Sequence, residues 1–241
     1  MDESFRKWLE LAKNVRPNSP FSYVRQPTDE YLQNQISRNH WIYIGNESLK
    51  DCAKSDNPNL YFKCWADRIK MGIAFNSNRS VLMARNILEN YSANVREELL
   101  RHLKSDSAGW DSVISIRQKY NTFADSPNFE ERERVPVSDL DNYKIQALFA
   151  KAELIIDECR GRVALPKDSP KHLSQGSGVR FNLLEKTFPS SEEEFKRAFA
   201  YAHDALVICL KVKTAAEYEK ERKAKIAKPY FPFDERYRPK S

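Results

Sequence analysis

The chain has 241 residues, of which 41% are hydrophobic, 31% charged and 12% aromatic; 40 Lys and Arg stand against 34 Asp and Glu, a net charge of +6. A disordered chain would be poorer in aromatics and more lopsided in charge, so a packed core is expected. No apolar run approaches the ~18 residues of a membrane span, so no membrane partner is expected, and the opening MDESFRKWLELAKNVR lacks the continuous apolar core of a secretory signal.

The first helix is predicted from Ser4 to Val15, where Phe5, Trp8, Leu9 and Ala12 recur at helical spacing and Pro17 and Pro20 end the run. A short helix is expected after Thr28, an N-cap residue followed by Asp29 and Glu30. Trp41 to Ile44 reads as a strand closed by Gly45, and Lys50 to Asn59 as a loop. The clearest β signal follows. Leu60 to Trp65 runs into Ala66-Asp67-Arg68, after which Ile69, Met71, Ile73 and Phe75 alternate with Lys70, Gly72 and Ala74. This is a hairpin turning near Asp67.

A long helix is expected from Asn78 to about Lys104, and a strand over Asp111 to Tyr120. Asn121 to Pro136 reads as a charged loop. Ser138 is read as the cap of a helix whose buried face is marked by Leu140, Tyr143, Ala147, Leu154 and Ile155, with Gly161 at its end. Residues 163–180 read as a loop, with a short strand from Val179 to Leu183. The last helix opens at Ser191-Glu192-Glu193-Glu194 and buries Phe195, Phe199, Ala202, Leu206 and Cys209.

This order gives an α+β fold: a small, mostly antiparallel sheet containing the hairpin near 60–76, packed by three long helices on one face. Residues 1–210 are read as one domain, with a candidate sub-boundary near 121–137. Residues 211–241 are read as a basic helical extension and a Pro/aromatic tail; 201–241 hold 10 basic and 6 acidic residues. A helical hairpin beginning near 138 is the alternative division.

Linear motifs for catalysis are absent. There is no Walker A sequence, no G-x-G-x-x-G and no G-x-S-x-G elbow. Two E-x-K pairs, Glu194/Lys196 and Glu221/Lys223, fall on the last helix rather than on strands. Cys52, Cys64, Cys159 and Cys209 form no C-x-x-C pair, so neither metal nor cofactor is expected and a reducing cytoplasm is the expected compartment. His203 and Asp204 are neighbours in sequence, and consecutive helix positions point about 100° apart, so they are not expected to face each other.

Basic residues interleaved with aromatics are the remaining theme, since Lys and Arg meet phosphates and aromatic rings stack on bases. Tyr61, Lys63 and Trp65 alternate and so share a face; with Arg68, Lys70, Arg117 and Lys119 they are the nucleic-acid-binding candidates. The same residues also read as a core pair beside a wetted sheet face. The order Trp41-x-x-Ile44, loop, strand, turn, strand ending MGIAF and long helix, from Trp41 to Leu103, resembles in outline the DNA-reading N-terminal domains of modification-dependent restriction systems. No site residue is carried over from it.

Three functions are therefore set side by side. The first is a non-enzymatic binding protein with a nucleic-acid partner, using the hairpin face and the basic C-terminal helix. The second is a protein-interaction or self-assembly component using Tyr230, Phe231 and Phe233. The third is an enzyme, nuclease-like or another hydrolase, whose site is assembled only in three dimensions.

Overall fold

A computed structural model of the chain describes residues 3–19, 21–25, 40–46, 58–75, 81, 93–117, 129–173 and 177–210. The expected helix after Thr28, the tail aromatics Tyr230, Phe231 and Phe233, Lys119 and Cys52 lie outside these residues. Among the described residues no helix is long and apolar enough to cross a membrane.

The fold is α+β. Among the described residues, seven antiparallel strands form one sheet: β1 (Phe21–Arg25), β2 (His40–Asn46), β3 (Asn59–Cys64), β4 (Arg68–Phe75), β5 (Asp111–Arg117), β6 (Phe129–Pro136) and β7 (Gly178–Pro189). Their spatial order is β1-β2-β3-β4-β7-β5-β6. The sheet is thus larger than expected. β7 is a central strand between β4 and β5, not a short addition. The charged run Glu130–Arg134, expected as a loop, is an edge strand. Its alternating charges suit that place, since an edge strand needs only one paired side and charge discourages further pairing.

The hairpin is where the alternation placed it. Leu60 opposes Ile73, Phe62 opposes Met71 and Cys64 opposes Ile69, and all six are buried. They face the helical layer. Helix α4 (Glu192–Leu210) lies over them, with Phe195 at 5.2 Å from Phe62. Helix α3 (Asn142–Val163) covers β7, with Phe149 edge-on to Phe181 at 4.7 Å. Helix α1 (Glu3–Val15) packs on α4 through Trp8 and Phe195, 5.0 Å apart. Helix α2 (Ala93–Ser105) meets α4 where the Tyr201 hydroxyl donates to the Leu103 carbonyl at 2.5 Å.

Helix α3 corrects the sequence reading in detail. Its N-cap is Asp141, which accepts from the Lys144 amide at 2.7 Å, while Ser138 lies in a preceding 3-10 turn. Gly161 is inside the helix, which ends at Val163. Tyr143 and Leu154 are 79% and 70% exposed; the buried face is Ile145, Leu148, Phe149, Ala152, Ile155, Ile156 and Cys159. Apolar residues surround this helix on nearly every side. The phase that places Phe149 and the Ile155-Ile156 pair against the sheet buries the larger area.

The end of α1 is fastened to α4 by polar groups. The Arg16 guanidinium grips Asp204, with Nε at 3.0 Å and Nη2 at 2.6 Å. His203 Nδ1 lies 3.1 Å from Asp204 Oδ1, so these neighbours do meet, contrary to the expectation from helix angles. The angle separates the Cα–Cβ vectors, but both side chains are long enough to fold back toward each other.

Candidate nucleic-acid interface

The face of the sheet opposite the helices is built from the hairpin outward. Alternation and register place three cross-strand rungs on it. Trp65 and Arg68 flank the turn, where the Trp65 amide donates to the Arg68 carbonyl at 2.8 Å. Lys63 opposes Lys70, and Tyr61 opposes Gly72. The tip is anchored, because Ser190 donates its amide to the Asp67 carbonyl at 3.1 Å and its hydroxyl to the Trp65 carbonyl at 3.4 Å.

At the tip, two cations gather on one half-buried ring. Lys63 Nζ lies 4.6 Å from the Trp65 centroid and Arg68 Cζ lies 5.0 Å from it. Directly opposed like charges destabilise a strand pair, so the Lys63–Lys70 rung carries a cost. Burial lowers the Lys63 pKa to about 8, helped by the charges of Lys70, Arg180 and Arg68.

One buried carboxylate balances part of this charge. Glu185 Oε1 meets Lys70 Nζ at 2.8 Å. Glu185 Oε2 accepts from the Tyr61 hydroxyl at 3.1 Å and from Asn182 Nδ2 at 2.5 Å. Arg180 Nε donates to Asn182 Oδ1 at 2.9 Å, and its guanidinium stands 4.7 Å from the Tyr61 ring centroid. Burial pulls the Glu185 pKa up, but Lys70, Arg180 and Tyr61 hold it below the ordinary carboxylate range. On the β5–β6 side, Arg134 joins Asp111 at 2.7 Å and Glu131 at 2.6 Å, and reaches Glu185 at 3.5 Å.

These partners of the hairpin are not legible in the sequence for a definite reason. Asn182 opposes Ala74 and Glu185 opposes Gly72, yet they are three residues apart in β7. A bulge at Leu183 supplies the extra residue; Ser112 donates its hydroxyl to the Leu183 carbonyl at 2.6 Å. Without that bulge, period-two alternation puts Glu185 on the helical face. Arg180 and Asn182 alternate normally, and that was the available signal.

The candidate residues separate into groups. Trp65, Lys63, Arg68 and Lys70 are brought together at the tip. Tyr61 is on the same face but fully buried, so its ring offers no stacking surface. Arg117 opposes Gly178 at the far end of β7, whereas Lys70 opposes Thr187; those positions are nine residues apart along the strand, about 30 Å at ~3.3 Å per residue. Arg117 therefore does not extend the hairpin surface. Among the described residues, no cluster of His, Cys, Asp and Glu is arranged to hold a metal ion.

No protein-family model matches the chain, and no curated protein or solved structure is found similar to it.

Proposed function

We propose that the chain binds single-stranded nucleic acid at the tip of the β3–β4 hairpin, with Trp65 stacking on a base and Lys63 and Arg68 meeting the flanking phosphates. The observation that supports this reading most is the half-buried Trp65 ring with two cations within about 5 Å of its centroid. A base that stacks on the ring releases one or both cations to the backbone, so ring and charges are used together. Lys70 is partly committed to Glu185 and contributes as a background charge. Single strands are favoured over duplex because a stacking platform needs an unpaired base face. A reducing compartment such as the cytoplasm suits the free, buried thiols of Cys159 and Cys209.

The test is titration of a mixed-sequence single-stranded oligonucleotide at two ionic strengths, with wild type and the Lys63→Glu/Arg68→Glu double variant. The reading expects wild-type binding that falls steeply with salt, with a log–log slope of about −0.7 per phosphate engaged, and loss of binding in the variant. Equal binding by the two proteins contradicts it.

A further inference from the structure

We propose that Ser19, His203 and Asp204 form a nucleophilic triad that transfers acyl groups from small esters to water. The three side chains form a continuous chain of contacts. Ser19 Oγ lies 2.8 Å from His203 Nε2, and His203 Nδ1 lies 3.1 Å from Asp204 Oδ1. Nucleophile, base and orienting carboxylate are thus each within hydrogen-bond reach of the next, which is the geometry that activates a serine. In the tautomer with the proton on Nδ1, His203 donates to Asp204 and leaves Nε2 to accept the hydroxyl proton.

The surrounding structure preorganises the set. His203 is buried, 4% exposed, with its ring centroid 6.0 Å from that of Phe199. Ser19 closes the turn after α1, its amide donating to the Arg16 carbonyl at 3.1 Å, and the residue is only partly buried. Arg16 acts as a positioning residue, holding Asp204 by two hydrogen bonds. Burial lowers the His203 pKa, with Arg16 adding to the shift and Asp204 opposing it, which favours the neutral ring. Among the described residues, Arg16 just after α1 and Asp204 on α4 are charged groups that act on it.

The chemistry balances without any further reagent. Ser19 Oγ bonds to the ester carbonyl carbon while its proton passes to His203 Nε2. Collapse of the tetrahedral species breaks the C–O bond, and the alcohol leaves with that proton. Water then adds to the acyl-serine, giving its proton to Nε2. Collapse releases the carboxylic acid and restores the Ser19 hydroxyl. This site is separate from the hairpin tip and does not depend on nucleic-acid binding.

The experiment is labelling of the full-length protein with an alkyl fluorophosphonate, read by intact mass and peptide mapping. The expected result is one adduct, on Ser19, absent from heat-unfolded protein and slowed at least about a hundredfold in His203→Gln. No adduct on Ser19 in the folded protein, or equal labelling in a folded His203→Gln, overturns the proposal. Because His203 is buried, its replacement endangers the fold, so Ser19→Cys supplies an independent reading. Its thiol is expected to react with iodoacetamide at pH 7 faster than glutathione does; an equal or slower rate overturns the proposal as well.

Discussion

Lys70 Nζ and Glu185 Oε1 lie 2.8 Å apart across the β4–β7 ladder, and the carboxylate is only 9% exposed. Removing one partner of such a pair strands the other charge. Glu185→Gln removes the carboxylate charge that Lys70 meets at 2.8 Å and is expected to cost ~3–5 kcal/mol. Urea denaturation checks this: the midpoint should fall with little change in slope. The folded-state pKa of Glu185 is depressed relative to the unfolded chain. Its stabilising contribution is therefore present above the unfolded carboxylate value of about 4.3 and is lost as pH falls through the folded value.

Gly72 is required by close approach. A Cβ there would overlap the Leu184 carbonyl oxygen and stand 2.9 Å from the Tyr61 hydroxyl oxygen. Gly72→Ala is expected to destabilise by ~1–3 kcal/mol or more, since the obstacle is backbone of the neighbouring strand. The thermal midpoint of the variant reports it, and an unchanged midpoint would refute the packing described.

The two phases open to α3 can be told apart by substitution. Leu154 is 70% exposed, so Leu154→Ser should change stability by no more than about 0.5 kcal/mol. Phe149, packed edge-on to Phe181, should cost ~3–5 kcal/mol on truncation to alanine. Chemical denaturation of the two variants side by side decides the matter.

The hairpin and the first and last helices were legible because each has one dominant period and a clear stop: alternation from Ile69 to Phe75, helical spacing from Trp8 to Ala12, and the acidic start at Glu192. β6 was not, because Glu130–Arg134 carries no apolar alternation and becomes a strand only by pairing with β5. The α3 phase was ambiguous because apolar residues occupy both sides of it. At the candidate site, Trp65, Lys63, Arg68 and Lys70 could be grouped from alternation alone. Glu185 and Asn182 could not, because the Leu183 bulge breaks the period. Ser19 and His203 are 184 residues apart and meet only through the packing of α1 on α4.

Lys63 has a folded pKa of about 8, lowered first by burial and then by Lys70, Arg180 and Arg68. A phosphate beside it favours the charged form, so nucleic-acid binding should take up a proton. Affinity is expected to be full below pH 8 and to weaken as pH rises through that value. Lys63→Arg, charged throughout, should remove this dependence. Without ligand the sign is different: the unfolded lysine holds its proton to higher pH, so Lys63 makes stability rise between about pH 8 and its unfolded value of about 10.4. Denaturation and binding midpoints at pH 7, 8 and 9.5 check both statements.

The most direct measurement compares wild type, Trp65→Ala and Arg117→Ala in fluorescence anisotropy titrations with one single-stranded oligonucleotide at fixed low salt. Stacking on one aromatic ring is worth ~1–3 kcal/mol per base. Trp65→Ala is therefore expected to weaken binding between about fivefold and a hundredfold, while Arg117→Ala, at the far end of the sheet, leaves it unchanged. Binding by Trp65→Ala equal to wild type, or no binding by any of the three proteins, would contradict a nucleic-acid site at the hairpin tip.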